Sequence, residues 1–267
     1  MKTSLFSQSL FALSLDEAIV STAEIGFGAI ELGCCRPHFD VSQARRDPEG
    51  VAEGIERAGL AVSALSLFNN FTDPDGLDEQ LRAAETFIRL APVFKTKVVK
   101  LTPGPPGSAA ATSTHWQRLE HAISRLVPVA REVDVVLAFE THMRQLTDTL
   151  ASSVRLLEMT PPDAVGLTVD FSNLAFAGEH MAEVIPTVIE RTYHTHLKNG
   201  YVDSAGDWHF QALDEGLTDY GMALRMLRQG GYDGYLSIEC LGPEAQRHPV
   251  ETARRDLEIL EQYLAAL

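Results

Sequence analysis

Short apolar runs rich in Val, Ile, Leu and Phe alternate along the chain with longer segments whose apolar residues recur every three or four positions. The first pattern is that of buried strands and the second that of amphipathic helices, so the chain is predicted to repeat strand and crossover-helix units. Strands are expected over residues 3–11, 29–33, 61–68, 97–101, 135–140, 166–170, 193–197 and 235–239. Helices are expected from Ser14 to Gly26 and over residues 48–58, 77–90, 115–131, 150–158, 182–190, 219–229 and 249–264. Ser14-Leu15-Asp16-Glu17 has the form of a capping box, and Gly26 and Gly59 stand where helices stop. Residues 72–76 read as a turn, residues 103–114 as a loop, and residues 198–218 as a long excursion after the seventh strand.

Eight strands and eight helices without an antiparallel hairpin predict an α/β fold, a single (β/α)8 TIM barrel in which residues 1–267 form one domain. The rival arrangement is an open, doubly wound sheet. Its two best-known phosphate-binding signatures, G-x-G-x-x-G after the first strand and G-x-x-x-x-G-K, are absent from the chain.

Charge narrows the partners. Lys and Arg number 22 against 37 Asp and Glu, a formal charge of −15, which repels nucleic-acid backbones and anionic membranes over most of the surface. A local basic pocket for a phosphorylated sugar stays compatible with that balance. The three cysteines, Cys34, Cys35 and Cys240, form neither a metal spacing nor an even-numbered disulfide framework, as expected of a cytoplasmic protein. Residues 1–15 read as a first strand and not as a signal peptide, and no apolar run approaches the about 18 residues that span a bilayer. A homo-oligomer is compatible with all of this.

In a barrel, the carboxyl ends of the strands converge on one mouth, so the polar residues there are the candidates for chemistry. Four consecutive strands deliver one each: Glu140 ends the fifth, Asp170 the sixth, His196 lies in the seventh and Glu239 ends the eighth. A carboxylate at the end of an apolar run costs several kcal/mol if buried uncompensated, and a cation removes that cost. Three carboxylates and a neutral imidazole suit one divalent ion, Mn²⁺, Mg²⁺, Co²⁺ or Zn²⁺. A salt-bridged strand end is the ordinary reading of each residue alone, and their joint placement favours the metal. His194 and His196 share a face, so spacing by itself leaves either as the ligand.

Glu140, Asp170, the His196-Leu197-Lys198 triplet and Glu239 resemble the metal-binding set of the xylose isomerase-like barrel superfamily, commonly labelled sugar phosphate isomerase/epimerase. Ala29-Ile30-Glu31-Leu32-Gly33 and Asp214-Glu215-Gly216-Leu217-Thr218-Asp219-Tyr220 extend the likeness over most of the chain. The resemblance implies that His196 is the ligand, that His194 supports it, and that Glu140 and Glu239 serve both as metal ligands and as catalytic acid and base. Many ketose epimerases of this kind carry a substrate-contacting histidine where this chain has Asn173, and an arginine after the seventh strand that is not evident here.

Around this set, His142, Asn173, Lys198 and His38 are candidates for substrate binding. His142 lies two residues beyond Glu140, Asn173 can both donate and accept towards a hydroxyl, and Lys198 can polarise a carbonyl or pair with a neighbouring carboxylate. His38 follows the second strand at the same end of the barrel, where a lone loop histidine is otherwise solvated. Trp208 and His209, in the long excursion, either roof the pocket or stabilise the loop. The function expected is a divalent-metal-dependent isomerase or epimerase of a small sugar or sugar-derived ketone, working through an enediolate. The alternatives are a dehydratase acting on an inosose-like or dehydroshikimate-like substrate and a non-catalytic carbohydrate- or metal-binding barrel.

Overall fold

The computed structural model describes residues 1–267. Its strands are β1 (Lys2–Phe6), β2 (Ala29–Gly33), β3 (Ala61–Ser66), β4 (Val98–Leu101), β5 (Val136–Glu140), β6 (Val165–Asp170), β7 (Thr192–Leu197), β8 (Asn199–Val202), β9 (Trp208–Gln211) and β10 (Tyr235–Ile238). Eight of them close a parallel barrel in the order β1-β10-β7-β6-β5-β4-β3-β2, so β10 is the eighth barrel strand. The helices are α1 (Leu15–Ile25), α2 (Val41–Arg46), α3 (Pro48–Arg57), α4 (Leu77–Leu90), α5 (Ser113–Glu132), α6 (Leu150–Glu158), α7 (Phe171–Phe176), α8 (Met181–Val188), α9 (Tyr220–Gln229), α10 (Gly242–Arg247) and α11 (Pro249–Ala265).

The predicted (β/α)8 barrel is therefore the fold. Its strands read as near-continuous apolar runs because a parallel sheet is covered on both faces; every residue of β2 and β6 is buried. One cluster of 62 buried apolar residues joins the barrel wall to the helices. α1 begins as its sequence predicts: the Ser14 hydroxyl accepts from the Glu17 N–H, and the Glu17 carboxylate accepts from the Ser14 N–H at 2.9 Å. It ends on Gly26, whose φ of 116° is open to glycine at little cost.

Several expectations need correction. The first strand stops at Phe6, and residues 7–10 turn into a 3₁₀ helix. The Ser7 hydroxyl accepts from the Gly33 N–H and the Ser9 hydroxyl from the Cys240 N–H, both at 2.9 Å, so the turned segment satisfies backbone donors of two other strand ends. The third strand stops at Ser66, and α5 starts at Ser113 because the His115 ring accepts from the Thr112 N–H at 3.0 Å. Three short helices, α2, α7 and α10, lie in segments to which the sequence pattern assigns no element, and α8 gives way to a 3₁₀ turn at residues 189–191. The expectation of no antiparallel hairpin also fails. β8 and β9 pair antiparallel within residues 198–218, around a turn in which the Asp203 carboxylate accepts from the N–H groups of Ala205 and Asp207. No helix is long and apolar enough to cross a membrane.

Candidate active site

The barrel register brings the four strand-end residues together. Asp170 on β6 and Ser237 on β10 both lie opposite His196 on β7, while Glu140 closes β5 and Glu239 follows β10 directly. One ligand-type atom from each of Glu140, Asp170, His196 and Glu239 lies within 4.8 Å of the others, and all four residues are buried. His196 Nδ1 stands 3.2 Å from Glu140 Oε1 and 3.9 Å from Asp170 Oδ2. Asp170 divides its carboxylate: Oδ1 caps α7 by accepting from the Asn173 N–H at 2.9 Å, leaving Oδ2 to face the cluster.

Two lysines compensate the carboxylates. Lys198 Nζ lies 2.6 Å from Asp170 Oδ2 and 2.5 Å from Glu239 Oε2. Lys100 on β4, absent from the sequence-based candidates, lies 2.6 Å from Glu140 Oε2 with its side chain fully buried. Burial pushes Glu140 towards its neutral form, but Lys100, His196 and His142 outweigh it and hold the carboxyl well below the usual range. Asp170 goes the other way: burial, with the charges of Glu239 and Glu140, raises it despite Lys198. Burial lowers the basicity of His196, but the carboxylates of Glu31 and Glu140 more than restore it and push it up to about 10.

Glu31 on β2 is the second residue that sequence reasoning missed as a participant. It is fully buried and accepts from His194 Nε2 and His196 Nε2, each at 2.8 Å, from the Ser237 hydroxyl at 2.5 Å and from the Ser66 hydroxyl. Burial alone would raise it, yet His196 and His194 bring it well below the ordinary carboxylate value. A carboxylate that accepts from both Nε2 atoms assigns a proton to Nε2 of each ring, so His196 Nδ1, which faces Glu140 and Asp170, is the nitrogen that would give up its proton to bind an ion. Glu31, His194 and His196 also form a second buried group of ligand-type atoms, but four donors already occupy the Glu31 oxygens. The signal for both missed residues was in the chain: each is the lone charge inside an apolar strand, Glu31 in Ala29–Gly33 and Lys100 in Val98–Leu101.

The remaining candidates are placed unevenly. His142 is half-buried beside Glu140 and holds the Met143 carbonyl at 2.8 Å through Nδ1. Asn173 is buried in the first turn of α7, where its amide donates to the Thr141 carbonyl at 3.0 Å and its Oδ1 has no partner. His38 is neither solvated nor part of the cluster: it is 2% exposed, its Nε2 meets the Leu13 carbonyl at 3.2 Å, and its ring stands edge-on to Phe11. Trp208 on β9 lies under the guanidinium of Arg144, 4.3 Å from its ring centre, which links the loop after β5 to the hairpin. His209 pairs with Asp203 at 2.7 Å and stacks on Tyr201 within that hairpin.

The residues present fit a divalent ion. Three convergent carboxylates and one histidine nitrogen are a mixed oxygen and nitrogen donor set, and without an ion the charge is balanced only by lysines and a histidine of raised basicity.

Residues 19–263 match the family model described as xylose isomerase-like TIM barrel. An inosose dehydratase of Clostridium perfringens is 24% identical over 266 residues, covering 90% of this chain and 86% of that protein. An inosose dehydratase of Lacticaseibacillus casei is 27% identical over 164 residues, but the match spans only 56% of this chain and 55% of that relative's length. Among solved structures, a probable 3-DHS dehydratase involved in petrobactin synthesis from Bacillus anthracis superposes with a TM-score of 0.81 at 21% identity, over 98% of this chain and 99% of that one. An IOLI protein with a bound zinc atom superposes with a TM-score of 0.84 at 15% identity, over 100% and 99%. At these identities the two superpositions speak to the fold.

Proposed function

Since the chain belongs to the xylose isomerase-like TIM barrel family, we propose that it is a divalent-metal-dependent enzyme that removes a proton from the carbon beside a carbonyl of a small polyhydroxylated substrate, with loss of water as the outcome. The observation that carries this reading is the convergence of Glu140, Asp170, His196 and Glu239 in one buried cluster at the carboxyl ends of their strands. Dehydration is preferred over the expected isomerisation because the inosose dehydratase likeness runs along 90% of the chain.

An ion held by these four side chains would polarise the carbonyl and stabilise the negative charge that deprotonation leaves on its oxygen. Everything else falls to the protein. Glu140 and Glu239 enter from different strands, so one can take the proton while the other acts elsewhere on the substrate. Lys198 joins Asp170 to Glu239 and can hand a proton through Glu239 to a departing hydroxyl, which leaves as water. Asp170 is fixed by its cap on α7, and His196 by Glu31. Epimerisation is the second reading, favoured by the paired glutamates, each with its own lysine: return of the proton to the opposite face of the same carbon inverts it.

The test is incubation of Mn²⁺-loaded protein in heavy water with ketoinositols, ketoses and sugar phosphates, with NMR observation of C–H exchange and products. Metal-dependent exchange that Glu239→Gln abolishes is expected, accompanied by a dehydrated product. Tight metal binding with no exchange across the panel would leave only a binding role and sink the proposal.

A further inference from the structure

The segment of residues 214–220 runs into α9 and ends in a tyrosine that the proposed chemistry leaves unused. Asp219 caps the helix by accepting from the Met222 N–H at 2.8 Å, and Tyr220, the first helical residue, is 1% exposed. The Tyr220 hydroxyl accepts from the Lys198 N–H at 3.0 Å and donates to the Lys198 carbonyl at 2.6 Å. Burial pushes the phenol above its ordinary value, so it keeps the proton that it donates. Its hydrogen bonds go to the Lys198 backbone and to Ser172, not to a carboxylate of the cluster.

The place of Lys198 in the chain explains why it needs such a partner. It lies between the end of β7 at Leu197 and the start of β8 at Asn199, where the barrel ladder has stopped and the hairpin ladder has not begun. A buried backbone group without a partner costs about as much as a lost hydrogen bond. One phenol oxygen serves both backbone groups of Lys198, and the Ser172 hydroxyl gives the carbonyl a second donor. From this fixed point the side chain runs into the cluster, where Nζ bridges Asp170 Oδ2 at 2.6 Å and Glu239 Oε2 at 2.5 Å. A lysine ammonium rides on a flexible four-carbon stem, so where it rests depends on how firmly its backbone is held.

We propose that Tyr220 is a positioning residue for the loss of water: its hydroxyl clamps the backbone of Lys198 and thereby holds the Lys198 ammonium against Glu239. This rests on the proposed function and concerns its second step. There the negative oxygen left by deprotonation reforms its carbonyl, and its electron pair moves to make a carbon–carbon double bond. The bond to the hydroxyl on the next carbon breaks, and that oxygen leaves as water with a proton from Glu239, which Lys198 restores. Removal of the proton from carbon makes no call on Lys198, so loss of the clamp slows water loss and spares C–H exchange.

The test has two readouts. Solvated lysine ammonium groups exchange their protons too fast to be seen by NMR, whereas that of Lys198, 5% exposed and doubly bonded, should give a proton–nitrogen cross-peak in the ¹⁵N-labelled metal-free protein. Lys198→Met identifies the peak, and Tyr220→Phe, which keeps the ring and removes the hydroxyl, should abolish it. In Mn²⁺-loaded protein with a ketoinositol in heavy water, Tyr220→Phe should lower water loss about tenfold and leave C–H exchange within about threefold of wild type. In the Lys198→Met background the same substitution should change water loss by less than about twofold, because a residue that acts through Lys198 then has nothing to act on. If Tyr220→Phe does not fold, Ser172→Ala, which removes the other donor to the same carbonyl, should shift the peak and slow water loss in the same sense. No Lys198 peak in wild type, a peak unchanged by the variants, exchange and water loss falling together, or the full effect of Tyr220→Phe in Lys198→Met would each overturn the inference. Loss of the peak in Tyr220→Phe with no exchange on any ketone in wild type would sink the proposed function and leave Tyr220 as the clamp of Lys198. Metal-dependent water loss that Tyr220→Phe leaves untouched would do the reverse.

Discussion

At the scale of single residues, the site depends on groups that never touch the proposed ion. Glu31 decides which nitrogen of His196 can serve an ion, because its carboxylate accepts a hydrogen bond from Nε2 at 2.8 Å and keeps the proton there. Glu31→Gln keeps the shape but presents an amide that can turn its NH₂ to the ring and release the opposite tautomer, so Zn²⁺ affinity should fall about 10- to 100-fold in a chelator-competition titration. Unchanged affinity would reduce Glu31 to a packing group. His38 gives the pH prediction. Burial pushes it below the ordinary histidine value despite the carbonyls of Leu13 and Leu10, so at acid pH the unfolded chain binds its proton more readily than the folded one. Its stabilising contribution is complete above about pH 6.5 and is lost as pH falls through that value, at up to ~1.4 kcal/mol per pH unit. The stability difference between wild type and His38→Phe should therefore shrink between pH 7.5 and pH 5.5 in urea titrations; a constant difference would contradict it.

At the scale of elements, the barrel units were legible because their length and period are strong signals, and the exceptions were short or locally bonded. β8 and β9 have four residues each, and α7 has six, too few to show a period. β1 was overextended because the apolar pattern of Leu5, Phe6, Leu10 and Phe11 does not reveal that Ser7 and Ser9 bond to other strands. The four ligand-type residues were legible because each stands at or beside the carboxyl end of a strand. Glu31 and Lys100 were not, because an inward charge acquires meaning only when the barrel closes and sets it against residues distant in sequence, as with Glu31 and Ser237. Elements that were legible by their caps can be tested by them. Ser14→Ala removes the hydroxyl of the α1 capping box and should cost about 1 kcal/mol in chemical denaturation, with no change in metal affinity.

At the scale of the whole molecule, the cluster ties stability to metal. Strands β5, β6, β7 and β10 are neighbours in one closed barrel, and their ends meet in four ligand-type side chains, so an ion held there links half of the wall. Without it, two buried lysines and His196 hold the carboxylates together. Unfolding separates the strands and destroys the ligand set, so the ion binds the folded chain in preference to the unfolded one. At a free Zn²⁺ or Mn²⁺ concentration about 100 times the dissociation constant, the expected stabilisation is ~2.7 kcal/mol. For a chain of this size that corresponds to a rise in Tm of about 5–10 °C, reversed by chelator. Glu140→Gln and Asp170→Asn should each blunt the rise, whereas Ser14→Ala should lower the starting Tm and leave the rise intact. An equal rise in wild type and in Asp170→Asn would place the ion elsewhere on an acidic surface, which the formal charge of −15 makes the alternative to exclude.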